Sequence, residues 1–156
     1  MEVGELFPRF ALPDEEGEML DSGMLEGVRY VIYFYPRDGT PGCTKEASDF
    51  TANHAKFMFR NIPVFGVSRD KPETHKRFKE KNQLKIKLLS DPDRELIDAV
   101  GAWGTKNMYG KTTEGIIRTT FIVGKDGRVE AAWKKVKVDG HADKVLEMAV
   151  SLYKGC

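Results

Sequence analysis

Apolar positions along the chain fall either into short unbroken runs or into segments where they recur every three or four residues. An unbroken β-branched and aromatic run is typical of a strand buried on both faces, whereas the spaced recurrence is typical of an amphipathic helix. The unbroken runs predict strands at residues 29–35, 62–68, 86–91 and 118–123. The spaced segments predict helices at residues 41–60, 71–82, 93–100 and 141–153.

Turn residues predict two hairpins in the rest of the chain. The turn at residues 14–17 separates two short extended pieces near the amino terminus. The Asp126-Gly127 pair predicts a second hairpin, which leads from the last buried strand into residues 129–138.

Helix boundaries carry further signals. Asp70 followed by Pro72 predicts a capped start for the second helix. Asp91 and Pro92 are expected to open the third helix, and Gly101 to end it.

The resulting order, βαβαβα and then ββα, predicts an α/β chain with a mixed central sheet covered by helices on both faces. It is a thioredoxin-like order of elements, extended at the amino terminus by a β-hairpin. Neither an internal repeat nor a linker divides the sequence, so residues 1–156 are expected to form one domain. Functional sites in such sheets gather at the carboxyl ends of strands, which is where Cys43 falls.

Composition excludes several classes of function. Hydrophobic residues make up 40% and charged residues 31%, and 25 Lys and Arg against 24 Asp and Glu leave a net charge of +1. This balance gives no reason to expect a nucleic acid or a membrane as partner. The first residues lack the pattern of a signal peptide, and two distant cysteines do not form a disulfide framework. A reducing, cytoplasmic location is therefore expected.

The segment PRDGTPGC at residues 36–43 places a cysteine at the start of the first helix. Thr40 is expected to cap the helix, Pro41 suits its first position, and Gly42 allows close packing of the backbone. Backbone N–H groups lack helical partners in this first turn, so they favour the thiolate over a thiol with an ordinary pKa of about 8.5. A reactive Cys43 is favoured over a buried structural cysteine.

These residues also carry a resemblance. The spacing P-x-x-x-T-x-x-C, formed by Pro36, Thr40 and Cys43, resembles the peroxiredoxin active-site motif, and YPRDGTPGCTKEASDF resembles the bacterioferritin comigratory, or Q-type, branch. Nearly the whole chain is similar to that branch: FPRFALPDEEGEML, FGVSRDKPETHKRFKEK, LLSDPD and GIIRTTFIVGKDGRV, the last with Arg118.

The resemblance implies a thiol-dependent peroxidase. The Cys43 thiolate would attack the terminal oxygen of a hydroperoxide and become a sulfenic acid. Thr40, the amides near the cysteine and the Arg118 guanidinium would bind the peroxide as its O–O bond stretches. Pro36 would shield the thiolate, and Glu46 could orient Arg118 through a charge-assisted bond. Without the resemblance, Arg118 would be interpreted as a surface cation and Glu46 as a solvated acid.

One position departs from the branch. Many members carry a resolving cysteine five residues after the first, and this chain has Ser48 there. Cys156 could resolve within one chain, Cys156 could pair with Cys43 of another chain, or an external thiol could act directly. A one-cysteine cycle is preferred. The family implies thioredoxin or a similar carrier as reductant, and a monomer or weak dimer.

Other chemistries are not supported by the sequence. His54, His75 and His141 are scattered, so no metal is expected, and the glycines lack a phosphate-loop pattern, so no cofactor is expected. The absence of C-x-x-C argues against a dithiol oxidoreductase. A redox sensor or binding protein of the same fold, oxidised at Cys43 without turnover, remains the alternative function. A non-catalytic scaffold is the third possibility.

Overall fold

The computed structural model describes residues 1–155, apart from the side chain of Met108. Cys156, the candidate resolving cysteine, lies outside the described residues. The strands are β1 Ala11–Pro13, β2 Met19–Asp21, β3 Tyr30–Phe34, β4 Val64–Ser68, β5 Lys87–Ser90, β6 Trp103–Met108, β7 Lys111–Ile116, β8 Thr119–Val123 and β9 Val129–Lys134. The helices are α1 Pro41–Ala52, α2 His54–Phe59, α3 Pro72–Lys81, α4 Glu95–Ala99 and α5 His141–Lys154.

Five strands form the central sheet in the order β5-β4-β3-β8-β9. Strands β3, β4 and β5 run parallel, whereas β8 is antiparallel to both β3 and β9. The pairs β1–β2 and β6–β7 form separate two-stranded antiparallel sheets. The predicted mixed sheet and the predicted amino-terminal hairpin are both confirmed.

Each face of the sheet carries its own hydrophobic cluster. Alternate residues of β3 point to opposite faces, so Ile32 and Phe34 join one cluster while Val31 and Tyr33 join the other. The second cluster is covered by helices α1, α2, α3 and α5, which contribute Phe50, Phe57, Phe78 and Val145. The first is covered by α4 and the amino-terminal hairpin, which contribute Leu96, Ile97 and Leu12.

The hairpin β6–β7 was not predicted from the sequence. Its residues are mostly polar and form no unbroken apolar run, so the pattern of a buried strand is absent. Its turn is formed by Tyr109 and Gly110, with φ angles of 53° and 77°. Positive φ at both central residues is the mark of a type I′ turn, the favoured two-residue hairpin connection.

The first predicted helix, residues 41–60, is two helices rather than one. The break falls at Asn53, which ends α1 and precedes α2. Its side-chain Nδ2 donates to a carboxylate oxygen of Asp143 on α5, 2.9 Å away, and to the carbonyl of Asp49 at 3.3 Å. A tertiary contact therefore accompanies the interruption.

The predicted cap of helix α3 is wrong. Lys71 is the N-cap residue, and its side chain makes no capping bond. The carboxylate of Asp70 instead accepts the Ser68 hydroxyl at 2.7 Å and the backbone N–H of Asp38 at 2.9 Å. Asp70 is therefore tied to the loop after β3 and not to the helix that follows it.

The next predicted helix, residues 93–100, is present as α4 at Glu95–Ala99, so it begins two residues later than predicted. Asp91, which is 2% exposed, accepts the backbone N–H groups of Glu95, Leu96 and Ile97 at 3.1, 3.0 and 2.8 Å. These are N–H groups that a helix start leaves without helical partners. One buried carboxylate thus stabilises the start of α4.

Among residues 1–155, no helix combines the length and the apolar character needed to cross a membrane. The apolar run of β3 is instead the central strand of the sheet, paired with β4 and β8. That residues 1–156 form one domain stays a prediction.

Candidate active site

The sheet brings two distant parts of the chain together at one end of β3. Strands β3 and β8 are antiparallel neighbours, with Phe34 opposite Thr119. The loop that leaves β3 therefore lies beside Arg118, the residue just before β8. This register explains how Cys43 and Arg118 meet although 75 positions separate them.

Helix α1 begins as the sequence predicts. Thr40 is the N-cap with an extended backbone (ψ 152°), and its Oγ1 accepts the backbone N–H of Cys43 at 3.4 Å. Pro41 occupies the first turn, and the Thr44 hydroxyl donates to the Thr40 carbonyl at 2.8 Å. Cys43, a free cysteine that is 1% exposed, is therefore held in the first helical turn.

The Arg118 guanidinium bridges two residues of helix α1. Its Nη2 donates to Cys43 Sγ at 3.2 Å, and its Nη1 donates to Glu46 Oε1 at 2.8 Å. Burial disfavours the charge, but Cys43 and Glu46 outweigh burial and raise the pKa of Arg118. A permanently charged donor is thus fixed against the sulfur, and that favours the thiolate.

Gly42 leaves the space that this guanidinium occupies. A Cβ added at Gly42 would lie 2.9 Å from Arg118 Nη2, closer than such atoms approach each other. Because the other nitrogen of the fork is held by Glu46, the guanidinium has little freedom to move away. The close packing predicted for Gly42 is therefore packing against Arg118.

Glu46 is a buried acid whose charge depends on Arg118. It is 1% exposed, its Oε1 is bonded to the guanidinium, and its Oε2 has no hydrogen-bond partner among the described residues. Burial raises the pKa of Glu46 to about 7, although the nearby Arg118 acts to lower it. The Arg118–Glu46 contact expected from the sequence is present. The Glu46 carboxyl gains or loses its proton near neutral pH, so the net charge of this pair changes there.

Two further residues at the site were missed from the sequence. The hydroxyl of Tyr33 is buried without a partner among the described residues, and burial, Glu46 and Cys43 together raise the pKa of Tyr33. Burial and the neighbouring Arg118 lower the pKa of Lys106. Tyr33 stands within a buried apolar run and Lys106 on the unpredicted hairpin, so neither has a sequence pattern that marks a site.

Pro36 and Thr40 both lie in the loop that leads from β3 to helix α1. Pro36 lines a cavity of about 430 Å³ together with Arg37, Trp103 and Lys106. The hydroxyl of Thr40 donates to the carbonyl of Arg37 at 3.2 Å. Thr40 therefore has to release this weak bond before its hydroxyl can donate to a ligand.

Comparison with known proteins places this geometry in a family. The model of the AhpC/TSA family matches residues 3–132. A putative peroxiredoxin of Mycobacterium tuberculosis is 46% identical over 142 residues, which are 91% of this chain and 90% of that protein. Peroxiredoxin Bcp of Escherichia coli is 39% identical over 146 residues, 94% of each chain.

Solved structures agree with these relatives. A bacterioferritin comigratory protein from Xanthomonas campestris, described for its alkyl peroxide reduction activity, superposes with a TM-score of 0.90 at 39% identity, over 97% of this chain and 99% of that one. A peroxiredoxin Q mutant from Xylella fastidiosa superposes with a TM-score of 0.91 at 33% identity, over 97% and 96%. The expected thioredoxin-like peroxiredoxin fold is confirmed by these neighbours.

Gly42→Ala tests the contact between Arg118 and the sulfur. The added methyl group should displace the guanidinium and slow alkylation of Cys43 by iodoacetamide about tenfold at neutral pH, because a charge-assisted bond to the thiolate is lost. Because the contact with buried Glu46 is disturbed as well, the unfolding free energy should also fall, and it is measured beside the alkylation rate. The measurement is made in a Cys156→Ser background.

Gly115→Ala is the matched control, since a Cβ at Gly115 meets only Lys106 at 3.8 Å. An alkylation rate in Gly42→Ala equal to that of the control would show that the guanidinium does not activate the sulfur.

Glu46→Gln tests the buried acid through the pH dependence of stability. A carboxyl whose folded pKa is raised to about 7 stabilises the fold below its unfolded pKa of about 4.5, and this contribution is lost as pH rises to 7. Relative to Glu46→Gln, the wild type should lose about 3 kcal/mol of unfolding free energy over that range, measured by urea denaturation. Exposed Glu147→Gln is the control. Parallel pH curves for the wild type and Glu46→Gln would contradict the assignment.

Proposed function

Because the chain belongs to the AhpC/TSA family of peroxiredoxins, we propose that Cys43 is its peroxidatic nucleophile and Arg118 its principal activating residue. The chain is a thiol-dependent peroxidase, an oxidoreductase that takes a peroxide substrate and a thiol reductant. The observation that carries the assignment of residues is the Arg118 fork, with Nη2 at 3.2 Å from Cys43 Sγ and Nη1 at 2.8 Å from Glu46 Oε1.

The first chemical step is attack by the Cys43 thiolate on the terminal oxygen of a hydroperoxide. The S–O bond forms as the O–O bond breaks, so sulfur is oxidised by two electrons to a sulfenic acid. The leaving oxygen departs as water or an alcohol after taking up a proton. Charge therefore moves from the sulfur to the leaving oxygen during the step.

Arg118 is placed to follow this movement of charge. Its planar fork keeps one nitrogen on Glu46 while the other faces the reacting sulfur. The backbone N–H of Gly42 offers a further donor, and the hydroxyl of Thr40 joins it once it releases the carbonyl of Arg37. Donors fixed before reaction stabilise the developing charge without having to reorganise.

We propose hydrogen peroxide and organic hydroperoxides as substrates. The cavity beside Pro36 is lined in part by Trp103 and Ile116, whose apolar surface suits the organic part of an alkyl hydroperoxide. The alkyl peroxide reduction described for the Xanthomonas campestris relative agrees with this choice.

The second half of the cycle is proposed to use an external thiol. Residue 48 on helix α1 is serine, so this helix supplies no second sulfur. The external thiol attacks the sulfenic acid and releases water, and a second thiol equivalent frees Cys43 as a disulfide forms. Thioredoxin or a similar carrier is the proposed reductant. Since Cys43 is 1% exposed, a protein thiol reaches it only when covering residues move.

A cytoplasmic location and a monomer or weak dimer complete the proposal. The free Cys43 thiol and the required thiol reductant both suit a reducing compartment. A redox sensor that oxidises once without turnover is disfavoured, because the relatives are peroxiredoxins.

Arg118→Ala tests the proposed function directly. We expect the second-order rate constant for Cys43 oxidation by hydrogen peroxide to fall by about 10²-fold or more, as when a fixed donor to a developing charge is removed. Stopped-flow tryptophan fluorescence follows the reaction, and Cys43→Ser should abolish it.

Arg128→Ala is the matched control. Arg128 is an exposed arginine in the β8–β9 hairpin, and its side chain donates a hydrogen bond to the Gly4 carbonyl. If Arg118→Ala oxidises as fast as Arg128→Ala, Arg118 has no part in the chemistry. If the wild type consumes one equivalent of peroxide and stops despite a supply of thioredoxin and other thiols, the sensor function is the correct one.

Cys156→Ser tests the one-cysteine cycle. Peroxide turnover with a thiol reductant should persist unchanged, and mass spectrometry of the peroxide-treated wild type should detect a sulfenic acid at Cys43. A Cys43–Cys156 disulfide or a disulfide-linked dimer, together with lost turnover in the variant, would instead establish Cys156 as the resolving residue.

A further inference from the structure

A buried polar cluster underlies the loop that leads from β3 to helix α1. His75 on α3 is 0% exposed, and its Nδ1 lies 2.6 Å from Oδ2 of Asp38, whose side chain is 3% exposed. Tyr35 donates its hydroxyl to the other carboxylate oxygen of Asp38. The cluster is distinct from the contacts among Cys43, Arg118 and Glu46.

The hydrogen positions in this cluster follow from its acceptors. His75 Nε2 lies 3.0 Å from the carbonyl oxygen of Leu89, which only accepts, so Nε2 carries a hydrogen. One more hydrogen is then shared between Nδ1 and Asp38. It belongs either to an imidazolium facing a carboxylate or to a carboxylic acid facing a neutral imidazole. Both arrangements give a short bond and no net charge in the buried pair.

Asp38 is also held through its backbone. Its N–H donates to Asp70 Oδ2 at 2.9 Å, and the same carboxylate accepts the hydroxyl of Ser68 at the end of β4. Asp38 is therefore bound by Tyr35 just after β3, by Asp70 just after β4 and by His75 of α3 at once. Its neighbours along the loop include Pro36 and Thr40, and Thr40 caps the helical turn that carries Cys43.

We propose that Asp38 and His75 form a positioning pair that holds the loop of residues 36–40, and with it the start of helix α1, in the conformation in which Cys43 reacts with peroxide. The inference rests on the proposed peroxidase function. Neither residue touches the reacting sulfur, so each acts through the backbone of the loop. A displacement of the cysteine by about 1 Å is enough to slow such a reaction strongly.

A metal ion is the competing interpretation of the same residues. Asp38, Asp70 and His75 each offer a ligand atom, and these atoms lie within 4.8 Å of one another. Each residue already has hydrogen-bond partners within 3.0 Å, and His75 Nδ1 faces Asp38 through a shared hydrogen. The groups thus satisfy one another without a cation, and we favour the hydrogen-bonded pair.

The test compares Asp38→Ala with Asp38→Asn. Asparagine can accept the Tyr35 hydroxyl and donate to a neutral His75, so it preserves the bridge, whereas alanine removes it. The rate constant for Cys43 oxidation by hydrogen peroxide should fall at least about tenfold in Asp38→Ala and remain within about twofold of wild type in Asp38→Asn. Amide hydrogen exchange at residues 38–44 should accelerate only in Asp38→Ala.

Glu130→Ala is the control for a general loss of stability. It breaks a 2.6 Å ion pair with Arg29, which precedes the opposite end of β3. This variant should lose stability without slower oxidation. If Asp38→Ala does not fold, Tyr35→Phe replaces it, because that change removes one hydroxyl and keeps the ring. Faster exchange at residues 38–44 and slower oxidation are then expected.

Three results would overturn the positioning role. The first is a wild-type oxidation rate in Asp38→Ala, or in Tyr35→Phe where that variant replaces it. The second and third are an oxidation rate in Asp38→Asn, or in Glu130→Ala, that is as slow as the rate in Asp38→Ala. A hydrogen-bonded pair also predicts unchanged rates after metal chelation of the wild type, and a fall would favour the metal. The exchange measurement does not depend on catalysis. If the wild type fails to react with peroxide but amide exchange at residues 38–44 still accelerates in Asp38→Ala, the proposed function is refuted. The pair would then stabilise the loop without a part in catalysis.

Discussion

The contact between the Arg118 guanidinium and the Cys43 sulfur is the interaction on which the rest of the site depends. A buried cation is costly unless opposite charges face it, and this guanidinium faces the sulfur on one arm and Glu46 on the other. A thiolate suits that position better than a thiol, because it accepts a charge-assisted hydrogen bond from the guanidinium. Gly42 makes the approach possible, since any side chain there would meet Nη2. The first turn of helix α1 thus leaves the space that the Arg118 guanidinium fills.

The fold holds this turn from two sides. Strand β8 presents Arg118 because it is the antiparallel neighbour of β3, whose end leads into the loop before α1. The far side of that loop is tied to α3 and to the end of β4 through Asp38. Both attachments are hydrogen-bonded, the first through an Arg118 side chain that is 18% exposed and the second through an Asp38 side chain that is 3% exposed, so they restrict the loop.

The elements of the sheet and the position of Cys43 in the first turn of α1 could be predicted from the sequence because both depend on local patterns. Buried strands are unbroken apolar runs, and Thr40, Pro41 and Cys43 share one helix start. Prediction from the sequence failed where a residue's hydrogen-bond partner is distant along the chain. The interruption at Asn53 accompanies a contact with α5, and Asp70 was assigned to a helix although it binds the loop. The β6–β7 hairpin was missed because exposed polar strands lack an apolar period.

The most direct measurement of the central claim is the ultraviolet absorbance of the Cys43 thiolate at neutral pH, compared between the protein with and without the Arg118→Ala change. It is made in a Cys156→Ser background, with the variant that also carries Cys43→Ser as the blank. If the Arg118 guanidinium stabilises the sulfur as an anion, the thiolate absorbance is present with Arg118 and falls when alanine replaces it. Equal thiolate absorbance with and without Arg118 would contradict the account.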